Sequence, residues 1–262
     1  NVKIALTFLD LLTVFLIILY GFWGLLIRHF LLSLFEMIFL HIKRPISVSP
    51  SFNKSHLIKL FKVGFPLFIV SYIFGFIETV PSLFLINFGT IEELGLFSPF
   101  LVMINTAILL PNAISTYMYP KMSFEFGKNS SKLKIWRIVK ITSLVSFFSG
   151  ILMCISIYFL ADYIAYFFPK YVKIIPYMKW GSILLIFIGY KSANITFAVL
   201  KSWNYMFLNL GSFLFISIIS IFLLNKYFDD ILFVTILSMI ITYFCSFIVS
   251  IYLSFKVTHK IN

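Results

Sequence analysis

Long apolar runs separated by short polar breaks recur along the whole chain, and this pattern leaves few folds open. A bilayer hydrocarbon core about 30 Å thick needs roughly 17–25 apolar residues per helix. By that measure eight spans are expected, at Ile4–Tyr20, Gly24–His41, Val63–Phe88, Leu94–Tyr119, Ile138–Ala161, Tyr177–Leu200, Tyr205–Leu224 and Ile231–Phe255. The runs are continuous and lack the in–out alternation of a membrane barrel. The expected fold is an all-α polytopic membrane protein of about eight transmembrane helices.

Composition closes off the alternatives. Hydrophobic residues make up 61% of the 262 residues and charged ones 11%, against about 45–50% and about 25% in soluble domains. Too little polar surface remains to cover a water-soluble globule, so a soluble enzyme, a disordered tail and a secreted disulfide scaffold are excluded. Cys154 and Cys245 both sit inside apolar runs, which suggests neither a disulfide framework nor a thiolate metal site. The chain starts at Asn1 rather than Met, with no charged leader or cleavage site before its first apolar run. A removable signal peptide is therefore not expected; the expectation is that the amino-terminal part of a longer protein is missing.

The net charge of +12 would suggest nucleic acid in a soluble protein. In a membrane protein it reads instead as Lys and Arg gathered in cytoplasmic loops, so no nucleic-acid partner is expected. With residue 1 inside, fifteen Lys and Arg fall in inside loops, while Lys170, Lys173, Lys179 and Lys226 fall outside. Arg28 and Lys191 lie within spans. Both ends are therefore expected to be cytoplasmic, in an inner membrane. Gly21 and Gly24 bracket a tight turn between the first two spans. The basic stretch 43–62, with Pro45, Pro50 and several serines, marks the main boundary: two spans precede it and six follow. It could also rest on anionic membrane lipids.

Four ordered segments carry a family resemblance. LIKLFKVGFP at Leu57–Pro66 resembles the start of the second lobe of polysaccharide flippases. IEELGLFS at Ile91–Ser98 resembles their LG-x-x-x-LG-x-[YF]-S segment. LLPNAISTYMYPKMSFEFG at Leu109–Gly127 is the most specific match, to a helix end and cytoplasmic loop of that lobe. FFPKYVKIIPYMKW at Phe167–Trp180 resembles their LLP-x-Y-x-x-x-IP-x-L turn. The chain thus resembles the carboxy-terminal part of an O-antigen or polysaccharide flippase, within the multidrug/oligosaccharidyl-lipid/polysaccharide exporter superfamily. One departure stands out: Val80-Pro81-Ser82 replaces the V-D-R of many relatives, and an acidic residue occurs instead at Glu78.

The resemblance implies two six-helix lobes around a central cavity. Residues 1–42 would be the last two helices of the first lobe, 43–62 a basic inter-lobe linker and 63–262 the six-helix second lobe. It implies alternating-access translocation of a polyprenyl-pyrophosphate-linked oligosaccharide, without cofactor or covalent chemistry, and leaves a coupling cation open. Two other readings stand beside it: a cation-coupled drug or small-molecule exporter of the same superfamily, with Glu78 as coupling carboxylate, and a membrane-embedded glycosyl or lipid transferase.

No Gly-rich phosphate loop, HExxH or CxxC pair is present, and the histidines are not at metal-ligand spacing. Glu92–Glu93 and Asp229–Asp230 read as solvated loop charge. Charges inside spans are more informative, because each costs about 2.5–3.5 kcal/mol at a helix centre on insertion scales. Arg28 is close enough to a span end to snorkel, Glu36 is interfacial, and Asp10 lies deeper without an assignable partner. Glu78 and Lys191 are too deep to snorkel. A cavity-facing role and a buried structural pair both remain open for them. Asn194, three residues after Lys191, would hydrate the same helix face. Asn105 and Asn112, seven apart, share a face expected to point into the bundle. Prolines 66, 81, 99 and 111 are expected to kink the third and fourth spans.

Overall fold

A computed structural model describes residues 2–43, 53–129 and 132–259. The described residues form ten α-helices and one 3₁₀ turn, with no strand among them. The chain is an all-α, multi-pass membrane protein. It divides into two compact units, Asn1–Ile58 and Lys59–Asn262.

The first unit contains α1 (Val2–Leu12) and α2 (Val14–Lys43). Gly21 interrupts α2 with φ 55° and ψ −126°, a left-handed backbone open to glycine at little steric cost. There the chain reverses. Asp10 and Arg28, 18 residues apart, would lie about 27 Å apart along a straight helix, yet they form an ion pair at 2.6 Å. Gly24 then passes so close to the Leu16 carbonyl that a Cβ there would collide with it. The expected turn at Gly21 and Gly24 is this hairpin, although Thr13 breaks its first arm. The Thr13 hydroxyl donates to the carbonyls of Leu9 and Asp10 at 2.9 and 3.1 Å.

The second unit holds most of α3 (Lys54–Phe88), followed by α4 (Ile91–Asn129) and α5 (Lys132–Phe167). Helices α3 and α4 continue through Pro66, Pro81, Pro99, Pro111 and Pro120. Next come the 3₁₀ turn Pro169–Ile174 and three short helices, α6 (Ile175–Gly181), α7 (Leu184–Phe187) and α8 (Tyr190–Val199). The unit closes with α9 (Trp203–Asn225) and α10 (Ile231–His259).

Among the described residues, six helices are long and apolar enough to cross a membrane, where eight uninterrupted spans were expected. The difference has two sources. In the first hairpin the Thr13 break leaves α1 short, and α2 runs on from Val14 through the Gly21 turn. The expected span Tyr177–Leu200 is divided into α6, α7 and α8, joined by i→i−3 bonds such as Leu185 N–H to the Ser182 carbonyl at 2.9 Å and Ile186 N–H to the Ile183 carbonyl at 3.1 Å. Irregular backbone at membrane depth is tolerated where protein surrounds it. Here Met178, Leu184, Leu185, Ile188 and Phe197 of the broken segment are all within 2% of complete burial. Gly150 of α5 makes the approach possible, because its bare Cα faces the Leu185 carbonyl and the Ile186 backbone.

Helix α10 packs against α9 and α8 through a row of small polar residues. Ser238, Thr242, Ser246, Ser250, Ser254 and Thr258 recur every fourth position of α10 and are all buried. Small side chains let membrane helices approach closely, and hydroxyls can be satisfied locally. Thr242 and Thr258 do this, bonding the carbonyls four residues back at 2.7 and 2.8 Å.

The acidic pairs in the turns have structural work. Glu93 and Thr90 form a reciprocal capping box at the start of α4, with Thr90 N–H to the Glu93 carboxylate at 2.7 Å and Glu93 N–H to the Thr90 hydroxyl at 3.2 Å. Asp230 caps α10 through Phe233 N–H at 2.9 Å and also accepts from the Tyr177 hydroxyl. Glu92 pairs with Lys173 at 2.8 Å, and that hydrogen bond holds its carboxyl below the usual range.

Candidate functional site

The residues singled out in the sequence separate into distinct surroundings. Arg28 belongs to the first unit. Its guanidinium, largely buried, donates to the Asp10 carboxylate at 2.6 Å. That partner, one hairpin arm away, offsets its charge at short range. Asp10, which has no partner legible in the sequence, finds it across the Gly21 turn. Glu36 is exposed.

Glu78 lies half-buried on α3, in a small cavity where α3, α9 and α10 meet. Pro81, Phe213, Ser217, Thr242 and Tyr243 line the same space. The carboxylate thus has hydroxyl-bearing neighbours inside an otherwise apolar wall. The side chain of Lys191, on α8, lies outside the described residues.

Asn194 is buried in a polar network that ties three helices together. Its Oδ1 accepts from Asn209 Nδ2 of α9 at 2.6 Å, and Asn209 Oδ1 accepts from the Ser250 hydroxyl of α10 at 3.1 Å. Nearby, the Ser254 hydroxyl donates to the Ala193 carbonyl at 3.0 Å. Asn194 Nδ2 has no partner among the described residues. Sequence spacing places Asn194 beside Lys191 but contains no sign of Asn209, its actual partner from the next helix.

Asn105 and Asn112 share a face of α4, as their spacing requires, but that face is exposed rather than turned into the bundle. The interior of α4 is occupied by Phe97, Phe100, Met103, Ile104, Ala107 and Ile108, which leaves no room for a carboxamide. The exposed side carries Val102, Asn105, Thr106, Leu109, Asn112 and Thr116. The two threonine hydroxyls bond the carbonyls four residues back, at 2.8 and 2.9 Å. Neither asparagine side chain has a partner among the described residues. Metal binding has no counterpart to this face: among the described residues no group of three His, Cys, Asp or Glu could hold a metal ion.

The described residues are those of a multi-pass helical membrane protein. Residues 4–147, more than half of the chain, match the family model described as polysaccharide biosynthesis protein. The chain belongs to that family, which is of the polysaccharide and O-antigen flippase type. No curated protein and no solved structure matches the chain.

Proposed function

We propose that this protein is a flippase that moves lipid-linked oligosaccharide or polysaccharide repeat units across the cytoplasmic membrane by alternating access. In this reading Lys59–Asn262 is one lobe, and the first-unit hairpin belongs to the other. The observation that carries it is the exposed α4 face with Asn105 and Asn112. A carboxamide without a partner is costly against lipid and useful against a hydrated saccharide. Polar groups at a lobe surface can bind and release a sugar headgroup while its polyprenyl tail stays in the bilayer. Lobe rocking then exposes the headgroup to each side in turn. The direct test supplies the complete protein to a strain that lacks its flippase. Surface glycan returns if the reading holds, and stays absent if the protein does other work.

A second reading, a cation-coupled exporter of the same superfamily, is favoured by Glu78. Its carboxylate shares a cavity with the hydroxyl-bearing Ser217, Thr242 and Tyr243, a set of oxygens suited to a proton or a small cation. A dependence of transport on a cation gradient, lost in Glu78→Gln, would favour this reading.

Orientation is part of the proposal. The positive-inside bias puts the turn after α4 in the cytoplasm and the turn after α9 outside. In a background with Cys154 and Cys245 replaced by Ala, Tyr227→Cys should react with an impermeant maleimide added to intact cells. Lys128→Cys should react only after the cells are opened. The reverse pattern would invert the topology.

A further inference from the structure

At the basic end of the second unit, one residue has a backbone that its side chain does not suit. Helix α8 ends in two bonds, Ser202 N–H to the Phe197 carbonyl at 2.8 Å and Lys201 N–H to the Ala198 carbonyl at 3.2 Å. This is the doubly bonded helix stop whose penultimate position adopts a left-handed backbone and usually holds glycine. Lys201 occupies that position with φ 51°, and it is the non-glycine residue with positive φ among the described residues. A lysine there is strained relative to glycine, and such strain persists where something else gains from it.

The surroundings indicate what gains. Lys201 lines a pocket of about 490 Å³ together with Lys132 from the start of α5, Trp203, Asn204 and Tyr205 from α9, and Phe126 from α4. That volume falls within the roughly 300–1,000 Å³ of small-molecule sites, which pair aromatic walls with a few placed polar groups. Two ammonium groups suit a phosphate or pyrophosphate. An indole and a phenol offer flat apolar faces for the C–H face of a sugar ring while keeping polar edges. A carboxamide can read a hydroxyl. A generic basic, aromatic belt explains scattered residues of these types. It does not explain their convergence from separate stretches on one concavity, nor a lysine where glycine is favoured.

We propose that this pocket receives the phosphate-bearing sugar headgroup of a lipid-linked saccharide, with Lys201 and Lys132 on the phosphate and Trp203 and Tyr205 against the sugar. The inference rests on the flippase reading for the identity of the lipid-linked source. It adds a reception site at the end of the lobe, distinct from the α4 face.

The test measures binding, without transport, of a short-chain polyprenyl-pyrophosphoryl-N-acetylglucosamine to the complete protein in phosphatidylcholine nanodiscs. Lys201→Gly should weaken binding at least tenfold, while raising the melting temperature by about 2–4 °C as the strain is relieved. Lys201→Arg should keep binding within about threefold. Lys256→Gln, at the same end but outside the pocket, should leave it unchanged. Equal weakening by Lys201→Gly and Lys256→Gln would mean a diffuse basic surface and overturn the proposal. So would competition by phosphatidylglycerol as effective as that of the unlabelled probe, or preference for a soluble nucleotide sugar. Binding that behaves as expected in a protein that does not restore surface glycan removes the flippase reading and leaves the site. Restored glycan with no effect of Lys201 on binding removes only the site.

Discussion

Gly150→Leu is expected to abolish folding of the second unit, and Gly150→Ala to cost about 1–3 kcal/mol. A Cβ at position 150 would run into the Leu185 carbonyl and come within 2.8 Å of Ile186 Cα. These are backbone atoms of the broken α6–α8 segment, so no rotamer change can clear the space. Overpacking of a tight contact typically costs about 1–3 kcal/mol, and a leucine exceeds what local shifts can absorb. The sign of the alanine result is diagnostic, because helix propensity alone favours Ala over Gly by about 1 kcal/mol. Gly75→Ala and Gly211→Ala supply the comparison: nothing lies within 4 Å of a Cβ at either position, so both should be neutral or stabilising. Thermal unfolding of the four variants in one detergent reads the effect. If Gly150→Ala is as stable as Gly211→Ala, the close approach of α5 to the broken segment is not what holds this region together.

That contact also marks where sequence reading stops. Apolar run length fixes the number of crossings only when each run is one helix. Tyr177–Leu200 has the length and hydropathy of a span, and nothing in its local pattern separates it from its neighbours. Its breaks at Ser182–Ile183 and Ile188–Gly189 depend on burial against α4, α5 and α10, which is a tertiary fact. The turn at Gly21, by contrast, was legible. Two glycines three apart between apolar runs are a local signal with a local cause. The family resemblance was legible for the same reason, since it rested on short ordered motifs rather than on periodicity.

Partner identity is harder to read than residue placement. The depth of Arg28 suggested snorkelling, while its ion pair with Asp10 across the hairpin had no sign in the sequence. The seven-residue spacing of Asn105 and Asn112 established a shared face and could not say which way that face points. A stronger signal was present in the Thr90-x-x-Glu93 capping box, whose spacing is readable without coordinates. Reading Glu92–Glu93 as solvated charge overlooked it. The pocket at Lys201 had no sequence signature, because a left-handed lysine and the convergence of α4, α5 and α9 residues appear only in three dimensions.

The double variant Asn105→Leu/Asn112→Leu separates a transport surface from an ordinary lipid-facing one, and it should reduce glycan export by more than tenfold. Both side chains are exposed and make no hydrogen bond within the described residues, so replacing them removes no packing and leaves no buried partner unsatisfied. Against lipid, leucine is the better residue by insertion free energy. A lipid-facing α4 would then give a protein at least as stable and as active as the parent. Against a hydrated cavity, two amides that exchange hydrogen bonds with a sugar are replaced by groups that make none. Losing two such bonds at about 1 kcal/mol each corresponds to a loss of one to two orders of magnitude. Asn105→Gln/Asn112→Gln should keep much of the activity, because it retains the amide while changing reach. Export is read in the complete protein, with membrane level and melting temperature measured in parallel. Unchanged export in the leucine double variant at a normal membrane level would remove the α4 face from the transport path, and with it the observation on which the flippase reading stands.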